Sequence, residues 1–275
     1  MEKRRKLFCE YGPVCYEISL CKENLKRTVL DKLQKNHFAK TRSNATLPYI
    51  WKSHISTILR PLLGVDMQLQ RNKAQNLRLA AARIDGIVLS PGETFSFWAL
   101  VGRPTRQKGY LDGMVIASGR PGRGVAGGVC QLANLIHYMV LHTPMKVTEL
   151  HHHSDALFPD AGRRVPFGTG TSIVYKNCDY RFQNTTPYPV QVRVWIKDGM
   201  LMGEIRSVAP LAKKYRLKEE DHHYTKENDG YYRNSRVYQI VSDKDGKEIQ
   251  KNLILENHSK VMFDPNQIPK EELRI

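Results

Sequence analysis

An apolar series at helical spacing dominates the middle of the chain: Val129, Leu132, Leu135, Ile136, Met139 and Val140. Apolar residues recurring every three to four positions make a helix whose stripe must be sealed against other structure. Whatever the fold, it has to build a layer around that stripe. Gly127 and Gly128 precede the series, and past a short extended piece the chain reaches His151, His152 and His153. Glycines before a helix let other backbone come close and suit tight turns or anions at the helix start.

The flanking patterns supply the rest of the fold. Arg71–Ile84 carries Ala74, Leu77, Ala81 and Ile84 on one stripe and closes at Asp85-Gly86, predicting a second helix. Ile87–Leu89 reads as a short buried strand, and Thr94–Trp98 alternates as a strand after the Ser90-Pro91-Gly92 turn. Leu25–Phe38 has helical spacing at Leu25, Val29 and Leu33, inside a poorly patterned segment broken by Pro48 and Pro61. Residues 102–128 are rich in glycine and arginine but lack the lysine and spacing of a phosphate loop, so no nucleotide site is inferred.

After the histidines the period drops to two. Ser172–Tyr175, Tyr180–Gln183 and Val190–Ile196 predict strands. Asp198-Gly199 is a two-residue hairpin turn leading to Met200–Arg206, and a second hairpin joins Arg236–Val241 to Glu248–Leu255 near Asp245-Gly246. Lys213–Asp229 is highly charged and reads as a surface connection. The class is α+β: a few N-terminal and central helices packed on a largely antiparallel sheet, with C-terminal β-hairpins. Residues 1–65 read as an N-terminal appendage, 66–210 as the main domain and 211–275 as a β-hairpin extension packed on it.

Charge narrows the partners. Against 27 acidic residues stand 43 basic ones, a net charge of +16 that attracts anionic surfaces or polymers. The basic residues are scattered apart from a small cluster at Lys3–Lys6, and no DNA- or RNA-binding signature occurs, so a nucleic-acid role is set aside. No run approaches the roughly 20 apolar residues of a membrane span. The basic N-terminus has no apolar core or small-residue cleavage site, which predicts a cytoplasmic protein. Five cysteines are too few and odd in number for a secreted disulfide framework; Cys9, Cys15 and Cys21 lack the spacing of a zinc module and read as unpaired thiols.

Cys130 is the candidate reactive group. At a helix start the free amide groups and the dipole favour thiolate, and a neighbouring imidazole would favour it further. If Val147–His153 is extended, His151 and His153 share one face. One reading makes Cys130 the nucleophile, His151 or His153 the base, Gln131 with backbone amides an oxyanion hole, and Glu93 the group that orients the imidazole. A second makes Cys130, His151 and His153 metal ligands with an open position. A third makes the region a structural core of a binding module, with Gly127, Gly128, Phe97 and Trp98 lining its pocket. His137 and His142 read as packing or surface histidines.

Three segments, RLAAARIDGIVLSPGETFSFWALVG, GGVCQLANLIHYMVLHTP and ELHHHSDALFP, resemble the VanW family in sequence and in order, over about Ala74 to Arg206. The length and the absence of a leader resemble its stand-alone members. The resemblance maps the family's His-x-His onto His151 and His153. Its Gly-x-Asp-Ala element falls on Gly168–Thr171, so Gly170 stands where an aspartate is usual. That leaves Asp155, Asp160 or Glu93 as third member of a triad, or no triad. The resemblance implies a link to glycopeptide resistance or cell-envelope peptides and supplies no reaction. The expected activity is cysteine-dependent acyl transfer or hydrolysis on a cell-wall peptide or precursor, without a cofactor; the competing expectation is a non-catalytic module for such a precursor or for a resistance partner.

Overall fold

The computed structural model describes residues 7–59, 67–117, 120–152, 155–157, 159, 165–175 and 177–274. In chain order these give α1 (Pro13–Leu33), β1 (Tyr49–Thr57), α2 (Met67–Ile84), β2 (Ile87–Leu89), β3 (Thr94–Ser96), α3 (Phe97–Val101), β4 (Asp112–Ala117), β5 (Arg120–Val125) and α4 (Cys130–Val140). Then come β6 (Lys146–Glu149), β7 (Asp155–Ala156), β8 (Arg181–Gln183), β9 (Val190–Lys197), β10 (Met200–Ser207), β11 (Lys214–Glu227), β12 (Gly230–Ser242), β13 (Glu248–Val261) and β14 (Leu273–Arg274). Early helices and late, mostly antiparallel strands make the α+β class expected from the sequence.

The core is built around α4. Leu132, Leu135, Ile136, Met139 and Val140 are all buried, each worth roughly 1.5–3 kcal/mol of transfer free energy before conformational entropy is counted. The helix lies on the four-stranded sheet β1-β10-β9-β2. Gly203 of β10 shows how close it comes: a Cβ there would sit 2.6 Å from Leu135 Cδ2 and 2.7 Å from Met139 Cε. Bare strand backbone is therefore the surface that α4 packs on. Next to it α2 buries Leu77, Ala80, Ala81 and Ile84 and is tied to β9, where Asp85 accepts from Arg193 Nε at 2.8 Å and from the Val194 N–H at 3.0 Å.

Several elements depart from expectation, each for a physical reason. The first helix begins at Pro13 rather than Leu25, with proline at its opening position, where the fixed φ suits a helix start. β1 lies in the segment that shows no pattern, because its polarity is inverted: Lys52, His54 and Ser56 face inward and Ile55 faces out. The inward polar groups meet α4 side chains, the His54 ring lying 4.3 Å from that of Tyr138 at a 43° tilt and Ser56 accepting from Gln131. The strand predicted over Thr94–Trp98 stops at Ser96, whose hydroxyl accepts from the Ala99 N–H and caps α3. Ser172–Tyr175 contributes only an isolated bridge from Val174 to Cys178. Lys213–Asp229 is no loop; it forms β11, paired along β12. Its charges are matched across the sheet, as in Lys251–Glu220, so a strand exposed on much of both faces reads as a charged connection.

His137 within α4 and His142, two residues past its end, are both interior groups. His137 Nδ1 lies 3.2 Å from the Tyr180 hydroxyl, and His142 Nδ1 lies 2.8 Å from the Tyr138 carbonyl. Burial pushes His137 down to about 3, with His152 adding to the effect. Burial also pushes His142 down to about 4, although its hydrogen bond to the Tyr138 carbonyl opposes this. The unfolded chain takes up these protons near 6.5 while the folded chain refuses them, so stability falls as pH drops from 6.5 toward those values. Each group contributes about 1.4 kcal/mol per pH unit. In unfolding titrations between pH 6.5 and 5, His137→Gln flattens the slope by about that amount; an unchanged slope would show that His137 is protonated in the fold.

Candidate functional site

Cys130 opens α4, and Val129 before it is already helical, so no side chain caps the turn. Gly127 packs against the backbone of Gly113 in β4, and Asn76 donates to its carbonyl at 3.0 Å. Gly128 holds φ at +90° beside Lys73. Both glycines of the expected substrate cradle are thus committed to packing. The Cys130 thiol faces the Ile173 carbonyl, with Sγ 3.9 Å from the oxygen. Burial pushes this thiol up. The expected depression by the helix start is not realised, because removing the thiolate from water outweighs the pull of the amide groups.

The other expected site residues are spread over the molecule. Glu93 accepts from the Ser90 N–H at 2.7 Å and closes the Ser-Pro-Gly turn. Gln131 spends its amide on β1, donating to Ser56 Oγ at 2.8 Å and to the Thr57 carbonyl at 2.9 Å. Phe97 and Trp98 are core residues, and the indole N–H donates to the Cys178 carbonyl at 3.0 Å. His151 Nε2 lies 2.9 Å from Glu149 Oε1, and His152 Nδ1 lies 3.2 Å from the Gly168 carbonyl. His153 and Asp160 lie outside the described residues. Among the described residues no hydrogen bond joins Cys130 to His151, and no group of three or more His, Cys, Asp or Glu side chains is arranged to hold a metal ion.

What the fold does assemble is a cleft of about 390 Å³ between α1 and the β6 and β8 strands. Three acids, Glu23, Asp31 and Glu149, and three bases, Lys26, Arg27 and Arg181, line it together with Thr94, Thr148 and Asn177. Arg27 pairs with Glu149 and also donates to the Asn177 carbonyl at 3.1 Å. Arg181 reaches Asp31 at 2.5 Å and Asp179 at 2.8 Å. Burial works against charge on Glu149, yet hydrogen bonds from Arg27, His151 and the Asp179 N–H outweigh it and hold the carboxyl below its usual range. Burial likewise opposes charge on Arg181, and Asp31 and Asp179 overcome it, raising its pKa.

Asp179 organises the floor beneath the cleft. It is buried and accepts from Ser96 Oγ at 2.5 Å, the Trp98 N–H at 3.0 Å and the Tyr180 N–H at 2.9 Å, besides Arg181. Sequence reasoning passes over Asp179, Arg181, Glu149 and Asp31. A signal for two of them is present: Asp179 and Arg181 sit two apart beside a predicted strand, which places an acid and a base on one face. Glu149 and His151 share the same spacing. Nothing local points to Asp31, whose partner is 150 residues away.

A family model described as "VanW like protein" matches residues 72–206. The chain is 30% identical over 227 residues to the "Vancomycin B-type resistance protein VanW" of Enterococcus faecalis, covering 82% of each protein. It is also 32% identical over 123 residues to the "Uncharacterized protein YoaR" of Bacillus subtilis, covering 45% of this chain and 39% of that protein. No solved structure matches. With the match centred on α2 through β10, the elements that bear Cys130, Glu149 and Arg181, the chain belongs to the VanW family.

Proposed function

We propose that this chain serves in glycopeptide resistance as a binding module for a charged cell-wall peptide or precursor, held in the cleft between α1, β6 and β8. The observation that carries this reading is the evenly balanced cleft, three carboxylates facing three basic groups over a buried aspartate. A surface of that kind suits a ligand carrying both ammonium and carboxylate groups, such as a peptide, better than a simple polyanion. The kinship with a protein named for vancomycin resistance supports the setting. The second reading, cysteine-dependent acyl transfer at Cys130 with His151 or His153 as base, is supported by the position of the thiol at the first residue of α4.

One set of variants separates the two. Lys26 and Glu23 line the cleft without an ion pair among the described residues. In calorimetric titration with a muropeptide, the double variant Lys26→Ala/Glu23→Gln weakens binding about tenfold, which is about 1.4 kcal/mol, while its unfolding midpoint stays put. Cys130→Ser binds as the parent does. Near neutral pH, iodoacetamide modifies exposed Cys21 well before Cys130. Fast alkylation of Cys130, with muropeptide turnover that Cys130→Ser abolishes and the cleft variant leaves intact, would overturn the binding reading in favour of the second.

A further inference from the structure

Helix α1 is mounted inside out. At 100° per residue, Val14, Ile18, Leu25, Val29 and Leu33 fall within an arc of about 100°. They are 72%, 52%, 67%, 46% and 73% exposed, and the helix buries none of its residues. The opposite side docks on the domain through charge: Glu17 pairs with Arg103, Arg27 with Glu149 and Asp31 with Arg181. An ordinary surface helix does the reverse, burying its apolar stripe and leaving its charges in water. The domain therefore does not use the stripe for its own stability.

The charges sort with the two faces. All three acids of α1, Glu17, Glu23 and Asp31, lie on the domain or cleft side. The charged residues within the outward arc are Lys22 and Lys32, both exposed, while Lys26 beyond its edge belongs to the cleft. Exposed Phe8 and Tyr11 continue the apolar surface before the helix, and Lys3, Arg4, Arg5 and Lys6 precede them in sequence. A second copy of this chain would bring another row of lysines against this one. An anionic lipid surface matches the lysines and accepts the apolar side chains between them.

We infer that α1 lies in the plane of an anionic membrane surface, its Val14–Leu33 stripe in the headgroup boundary, the lysines on lipid phosphates, and the cleft on its other face turned to the protein. The inference stands independently of what the cleft binds. It is tested with the full chain by co-sedimentation with phosphatidylglycerol/phosphatidylcholine vesicles and with phosphatidylcholine vesicles alone. The expected result is binding to the anionic vesicles that weakens with salt and is at least about tenfold lower for Leu25→Asp/Val29→Asp. Circular dichroism and the unfolding midpoint of that variant should match the parent, since both side chains are exposed. Absence of binding to anionic vesicles would overturn the inference, as would equal binding by the double variant, which would assign it to diffuse charge. A dimer of the parent that the variant dissolves, without vesicle binding, would assign the stripe to self-association instead.

Discussion

Asp179→Ala lowers the free energy of unfolding by about 3–5 kcal/mol, the range for breaking a buried charged network from one side. The carboxylate has four donors around it: the Ser96 hydroxyl, the Trp98 and Tyr180 N–H groups, and Arg181. Arg181 keeps Asp31 and Glu149 after the substitution, so the loss does not come mainly from a stranded guanidinium. It comes from the Ser96 hydroxyl and the Trp98 amide, which share the carboxylate as acceptor at the start of α3; each buried donor left without a partner costs about 1–3 kcal/mol. Asp179→Asn keeps one acceptor oxygen and lies between the two. Denaturant unfolding of the three proteins checks the order, and an alanine variant within about 1 kcal/mol of the parent would mean that water reaches these donors freely.

This aspartate also marks the limit of what the sequence discloses. The helix around Leu132–Val140 and the hairpin at Asp198-Gly199 are legible because their signals are local: a 3.6-residue period in one, a turn residue with φ of +73° in the other. β1 and β11 are not, because each departs from the rule that apolar residues face inward. β1 turns Lys52, His54 and Ser56 toward α4, and β11 is held by cross-strand charges on a surface wet on much of both sides. The site follows the same logic. Cys130 stands out by chemistry, but whether a thiol ionises depends on burial that no spacing of residues records. The cleft stays hidden because its lining comes from α1, β3, β6 and β8, elements that meet only in the folded chain. Asp31 and Arg181 are ordinary charged residues until 150 positions of chain are closed between them.

Gly127→Ala is the substitution with the largest expected cost relative to its size. A Cβ at this position would lie 2.1 Å from the carbonyl carbon of Gly113, 2.3 Å from its oxygen and 2.6 Å from its Cα. All three are backbone atoms of β4, which cannot swing aside as a side-chain tip would. Asn76 further pins both segments, donating to the Leu111 and Gly127 carbonyls at 3.0 Å and accepting from the Leu111 N–H at 2.8 Å. Relief therefore requires the β4–β5 hairpin to lift away from α2 or the start of α4 to shift, at a cost of about 3 kcal/mol or more. Gly199→Ala is the control: its φ of +73° strains an alanine but no atom lies within 4 Å of the new methyl, so it costs only about 1–2 kcal/mol. Unfolding free energies should place Gly127→Ala well below Gly199→Ala, and equal losses would show that conformation, not close approach, sets the requirement. Because Cys130 sits three residues on, displacement of the helix start also opens the thiol to water. Iodoacetamide should then modify Cys130 faster in Gly127→Ala than in the parent, tying the burial of that sulfur to the bare backbone contact between Gly113 and Gly127.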